Sequence, residues 1–171
     1  MSAMKMVAAV LALGMVVPAY AADKVFDPTR DANKDLHAAM AEAQKEHKNI
    51  LMDVGGNWCP WCILLDRMLN DDAELHALLE KNYVLLHVNF SRENENLDFL
   101  GPYPKAKGYP AWYVLSPKGK LLKAEDTSEL EQTHKLDAGY NKDTLKKFLH
   151  ENAPREGTAT LVTASQDGEP D

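Results

Sequence analysis

Cys59 and Cys62 are the only cysteines in the chain, and they sit three residues apart in Gly55-Gly56-Asn57-Trp58-Cys59-Pro60-Trp61-Cys62. On a helix, that spacing brings the second side chain round to the face of the first, so the two sulfurs can bond or exchange. The chemistry this suits is a reversible disulfide. A purely structural staple is a weaker reading, because closing a four-residue loop restricts the unfolded chain by only roughly 1.9 kcal/mol. Zinc asks for four Cys or His ligands at set spacing, and His37, His47, His76, His87, His134 and His150 form no partner motif. Covalent haem needs a histidine directly after the second cysteine, where this chain has Ile63.

Pro60 suits the first turn of a helix, where its missing N–H is no loss, so Cys59 is placed in that first turn. Unpaired N–H groups and the helix dipole there favour a thiolate. Cys59 is therefore the expected attacking sulfur, exposed at the helix mouth, with Cys62 behind it to resolve. The ionisation alone gives little. Lowering a thiol pKa from 8.5 to about 7 raises the thiolate fraction roughly sixteenfold at pH 7, but weaker nucleophilicity returns about fivefold of it, leaving about threefold. Leaving-group quality and a surface that aligns the partner disulfide must supply the rest.

The elements that would hold this pair can be read from periodicity. Residues 23 to 32 form an extended lead-in, and Leu36, Ala39, Met40 and Ala43 mark a helix from Asn33 to about His47, with His37 and His47 solvated. Ile50 to Val54 is a short apolar strand ended by Gly55-Gly56-Asn57. A helix from Cys59 to Leu69 follows, then a second from Ala73 to about Lys81, with an N-cap at Asp71-Asp72. Tyr83 to Asn89 reads as a strand buried on both faces, with His87 a core histidine bonded to backbone. Phe90 to Gly108 is a long polar connection with one helical turn near Leu97 to Leu100. Ala111 to Leu115 and Leu121 to Ala124 flank Pro117-Lys118-Gly119 as a hairpin. Glu125 to Asp137 is charged and reads as a surface loop, and Asn141 or Asp143 opens a last helix through Leu145, Phe148 and Leu149. The order predicts an α/β fold, a mixed central sheet with helices on both faces and an added N-terminal helix; the strands before and after the cysteine helix are parallel neighbours.

Lys5, the uncharged run Met6 to Val17, then Pro18 and Ala19-Tyr20-Ala21 have the order of a cleavable secretory signal over residues 1–21. The run is shorter than the roughly 20 residues a membrane span needs. Residues 22–153 are then one domain, and 154–171, without a core pattern, a flexible C-terminal tail. Removing Lys5 takes the formal charge from -7 to -8, which disfavours nucleic acid and anionic membrane as partners. The expected setting is periplasmic or otherwise exported, with no stable membrane association after cleavage.

These residues resemble the thioredoxin-like superfamily, and within it the exported bacterial thiol-disulfide oxidoreductases, over about Ile50 to His150. Quoted in order, the resemblance rests on Leu51-Met52-Asp53, Trp58-Cys59-Pro60-Trp61-Cys62, Gly108-Tyr109-Pro110 leading into Ala111 to Leu115, and the Lys118-Gly119 hairpin. It implies that Asp53 is a buried acid with a raised pKa that moves the proton of the resolving thiol. It also implies that Trp58 shields the attacking sulfur, that Pro110 is cis, and that the backbone of Tyr109 pairs with an extended client segment like an added strand. Trp61 stands where strong periplasmic oxidases have histidine; an indole adds no comparable charge stabilisation, so reduction or isomerisation is favoured over disulfide donation. Trp61 is expected to face outward as a docking surface, and Tyr103 to border the site. The family's first strand has no counterpart beyond Val25-Phe26.

The expected activity is reduction or isomerisation of protein disulfides, without cofactor or metal, with protein thiols and disulfides as partners and a membrane electron-transfer protein recycling the dithiol. A redox-inert peptide-binding or chaperone module on the same fold, a disulfide-donating oxidase, and metal carriage by the two thiols are the alternatives.

Overall fold

The computed structural model describes residues 24–155; the signal expected over 1–21 and most of the tail expected after 154 lie outside them. Helix α1 (Ala32–Glu46) is capped by Asp31, whose carboxylate accepts from the N–H groups of Asn33 and Lys34. It ends at His47 in the left-handed region. Strand β1 (Asn49–Gly55) is buried along its whole length and is the centre of the molecule. It pairs in parallel with β2 (Tyr83–Asn89) and antiparallel with β3 (Ala111–Leu115), and β3 pairs antiparallel with β4 (Leu121–Asp126), in the order β2-β1-β3-β4. Gly119, at φ +76°, makes the turn between β3 and β4, a conformation that favours glycine.

Strand alternation divides the core in two. Ile50, Met52 and Val54 of β1 face the layer of α1, with Ala39, Ala43, Val84, Leu86, Tyr113 and Leu115. Short helix α4 (Leu97–Leu100) adds Phe99 there. Leu51 faces the other layer, built by α2 (Pro60–Asp71), α3 (Ala73–Asn82) and α5 (Lys142–Glu151) through Leu65, Leu69, Leu75, Leu79, Leu145 and Leu149. Asp72 caps α3 and also pairs with Lys142 at 2.7 Å, joining α3 to the start of α5. The fold is the predicted mixed sheet with helices on both faces and a helix before the first strand.

Several local expectations are corrected. Cys59 is the N-cap of α2, with extended backbone, and Pro60 is its first helical residue. β2 is an edge strand, so Leu85 and His87 are only half-buried. The segment after Ala124 is not all surface loop: β4 runs on to Asp126, and a 3-10 turn at Thr127–Leu130 buries Thr127 and Leu130. Val25 and Phe26 form no strand. Instead, the Phe26 N–H donates to Asn57 Oδ1 at 3.2 Å while Asn57 Nδ2 donates to the Phe26 carbonyl at 2.5 Å. Two hydrogen bonds to one side chain hold the lead-in where a ladder would otherwise do so.

Candidate active site

β1 ends beneath the start of α2. The Cys59 and Cys62 Cα atoms are 5.3 Å apart, and their sulfurs are joined as a disulfide. As N-cap, Cys59 Sγ accepts from the Cys62 N–H at 3.1 Å, the place an Asp or Ser oxygen takes in an ordinary cap. Cys59 Sγ also lies 3.4 Å from the Tyr109 carbonyl, which can accept from the thiol in the reduced protein. Gly55 is needed at the end of β1, because a Cβ there would meet Cys62 Sγ at 2.7 Å and Phe26 Cζ at 3.0 Å.

The expectation of an exposed attacking sulfur is corrected: Cys59 is 3% accessible and Cys62 fully buried. The disulfide turns Cys59 toward Cys62, and Phe26, Val25, Trp61 and Tyr109 pack around the pair. What faces solvent is Trp58, at 56%. Its indole N–H donates to the Phe90 carbonyl at 2.6 Å, its ring meets Tyr109 edge-on, and Tyr109 stacks on Phe90. A shallow recess lined by Trp58, Phe90, Ser91, Arg92, Glu93 and Glu95 opens beside them. Trp61 does not face outward: it is half-buried, edge-on to Tyr140, and touches the cluster around the cysteines and the α2–α3–α5 core. The Tyr109-Pro110 bond is cis, Pro110 is buried, and the Thr127 hydroxyl donates to its carbonyl. Tyr103 packs between Phe99 and Tyr113 instead of against the cysteines.

Asp53 lies two residues before Gly55 on the same face of β1, hence behind Cys62, roughly 6.6 Å back along the strand. It is fully buried, and neither carboxylate oxygen has a hydrogen-bond partner among the described residues. Burial pushes its carboxyl up to about 7; His87 opposes that rise, the Asp66 carboxylate adds to it, and the Trp112 indole, which closes no hydrogen bond with it, opposes weakly. His87 and Asp66 are the residues that sequence reasoning missed. The β1–β2 register sets Asp53 beside His87, whose Nε2 is 3.8 Å from Asp53 and 3.5 Å from Asp66. The expectation of a core histidine bonded to backbone is corrected accordingly. A signal for Asp66 was present, four residues after Cys62 and so on the same helix face. Nothing local announces His87, because strand register is set by tertiary packing.

A thioredoxin-like family model matches residues 31–117, just over half of the sequence. The chain belongs to the thioredoxin-like family. Its fold is similar to that of a disulphide isomerase from Xylella fastidiosa Temecula1, with 24% identity and a TM-score of 0.64 over 77% of this chain and 98% of that one. Less similar are a DsbH oxidoreductase, with 18% identity and a TM-score of 0.48 over 84% of this chain and 94% of that one, and a thioredoxin-fold protein from Helicobacter pylori, with 16% identity and a TM-score of 0.38 over 61% and 81%. No curated protein matches the sequence. Family membership and a Cys-x-x-Cys pair closed as a disulfide at a helix N-terminus make this thioredoxin-like chain a thiol-disulfide oxidoreductase. Among the described residues, no helix is long and apolar enough to cross a membrane.

Proposed function

We propose that the protein is a periplasmic or otherwise exported oxidoreductase that reduces or isomerises protein disulfides through Cys59 and Cys62, with residues 22–153 as its working domain. The observation that carries this reading is the N-cap position of Cys59, with the Cys62 N–H pointed at its sulfur. That donor and the N-terminus of α2 stabilise a Cys59 thiolate in the reduced protein.

The thiolate attacks a client disulfide, forming a mixed disulfide and releasing the first client sulfur. Asp53 takes the proton of Cys62, and the Cys62 sulfur attacks Cys59 and frees the second client sulfur. Trp58 and the backbone of Tyr109, next to Pro110, hold the client segment extended across the sulfurs. Trp61, packed on Tyr140, contributes a wall beside the pair and no charge. The absence of charge at that position favours reduction or isomerisation over disulfide donation. Export is supported by the leader-like order of residues 1–21, and the recycling partner in that compartment is a membrane electron-transfer protein.

The 3% accessibility of Cys59 favours a second reading, a redox-inert peptide-binding module that presents Trp58 and Tyr109. Insulin reduction separates the two: the redox reading expects turnover with a chemical reductant and its complete loss in Cys59→Ala. Absence of turnover in the parent protein rejects it. A couple potential near -270 mV marks a reductase and one near -120 mV a disulfide donor.

A further inference from the structure

A buried base that takes a proton in every turnover has to release it before the next. Asp53 has no direct route out, being fully buried with no hydrogen-bond partner among the described residues. The polar and titratable groups that bear on it come from four sides. β2 presents His87, α2 presents Asp66, β3 presents the neutral Trp112 indole, and the segment before α5 presents Tyr140, with Glu131 near that hydroxyl. Trp112 cannot accept a proton, and burial raises the Tyr140 phenol far above neutrality. His87 differs from both. Its Nε2 is within ion-pair distance of both carboxylates, and its side chain is 25% accessible against 1% for Asp53 and 16% for Asp66. Phe26 stands edge-on to the ring.

We propose that His87 is the proton outlet of Asp53, taking the proton on Nε2, being held as imidazolium between Asp53 and Asp66, and passing it to solvent. This rests on the redox reading above. In the resolving step the Cys62 thiol gives its proton to the Asp53 carboxylate, and the Cys62 sulfur attacks Cys59. The Cys59–Cys62 bond forms, and the bond from Cys59 to the client sulfur breaks. The client sulfur leaves as a thiolate and is protonated from water. The two cysteines lose the two electrons that the client disulfide gains. As the Cys62 proton reaches Asp53 it passes on to His87 and to bulk water within the resolving step, so that it cannot return to the Cys62 sulfur, and this restores the carboxylate and the neutral imidazole. Burial works against the imidazolium, but the Asp66 and Asp53 carboxylates outweigh it and raise the His87 pKa.

Stopped-flow reaction of the fully reduced protein with 5,5'-dithiobis(2-nitrobenzoate) separates the steps. The first release of nitrothiobenzoate reports attack by Cys59, and the second reports resolution by Cys62. His87→Gln should leave the first phase within about twofold, slow the second roughly tenfold at pH 7, and move its pH midpoint upward, because the imidazolium that lowers Asp53 is gone. Asp66→Asn keeps the imidazole without its carboxylate hold and should slow only the second phase, by about threefold. A folded His87→Gln protein whose second phase keeps both rate and midpoint overturns the proposal while leaving the redox reading intact. If His87→Gln does not fold, an unchanged second phase in Asp66→Asn does the same. A parent protein without a second phase overturns the redox reading and the outlet together.

Discussion

Asp53 is the residue whose environment most conflicts with its chemistry, and its consequences can be measured. With the folded pKa raised to about 7, the carboxyl stays protonated in the native state where the unfolded chain would already have ionised. Native stability therefore falls as pH rises from about 4 to about 7 and levels off above that, by about 4 kcal/mol at most. Asp53→Asn removes this cost: urea unfolding should show the variant on the order of 2–4 kcal/mol more stable than the parent at pH 8, with the two converging near pH 4. The same variant should lose most of the resolving rate. The cysteines were legible because their relation lies along the chain, and Asp53 and the Tyr109-Pro110 pair were legible through the family resemblance of the segments that carry them. The acid lies two residues before the end of a strand, the cysteines are three residues apart at the start of a helix, and the proline precedes a strand. His87 and Asp66 complete the site across space, through a β1–β2 register and a β1–α2 crossing that no short window encodes.

At the scale of elements, an unbroken apolar run gave sound boundaries for β1, which is buried along its whole length, and helix periodicity did the same wherever one face is apolar, as in α1 and α5. It was less sure where burial is carried by single residues. Thr127 and Leu130 sit in a charged stretch, and their burial comes from a 3-10 turn packed under β3 and α5 that has too few residues to show a period. That turn has a task. The Thr127 hydroxyl is a hydrogen-bond partner of the buried Pro110 carbonyl, fixing the segment that carries Tyr109 over Cys59. Thr127→Val keeps the shape and removes the donor, so it should cost about 1–3 kcal/mol in urea unfolding. Because Tyr109 would then sit less firmly, the KM for a disulfide client should rise more than kcat falls.

For the whole molecule, both titrating groups behind the disulfide pull in one direction. His87, whose folded pKa is raised, gives stability that is fully present below its unfolded value and lost as pH rises through the folded one. Asp53 loses stability over the preceding range, so the thermal midpoint should decline steadily from pH 5 to pH 8, and His87→Gln should flatten the upper part of that decline. The sheet order was largely foreseeable from the sequence of strands and the parallel crossover. The weakness of the leading edge was legible too, in the want of a first strand beyond Val25-Phe26, but not what takes its place, a pair of hydrogen bonds to Asn57. That substitution has a spatial consequence. Phe26 is fused into the wall behind the sulfurs, so the amino end of the folded body leaves the surface only a few residues from the reacting centre. Whatever is tethered to that end, a matrix, a bead or a neighbouring domain, is held on a leash of at most about 3.5 Å per intervening residue. An immobilised preparation linked through its amino end should thus crowd bulky clients away from the sulfurs, while one linked through the carboxyl end should not.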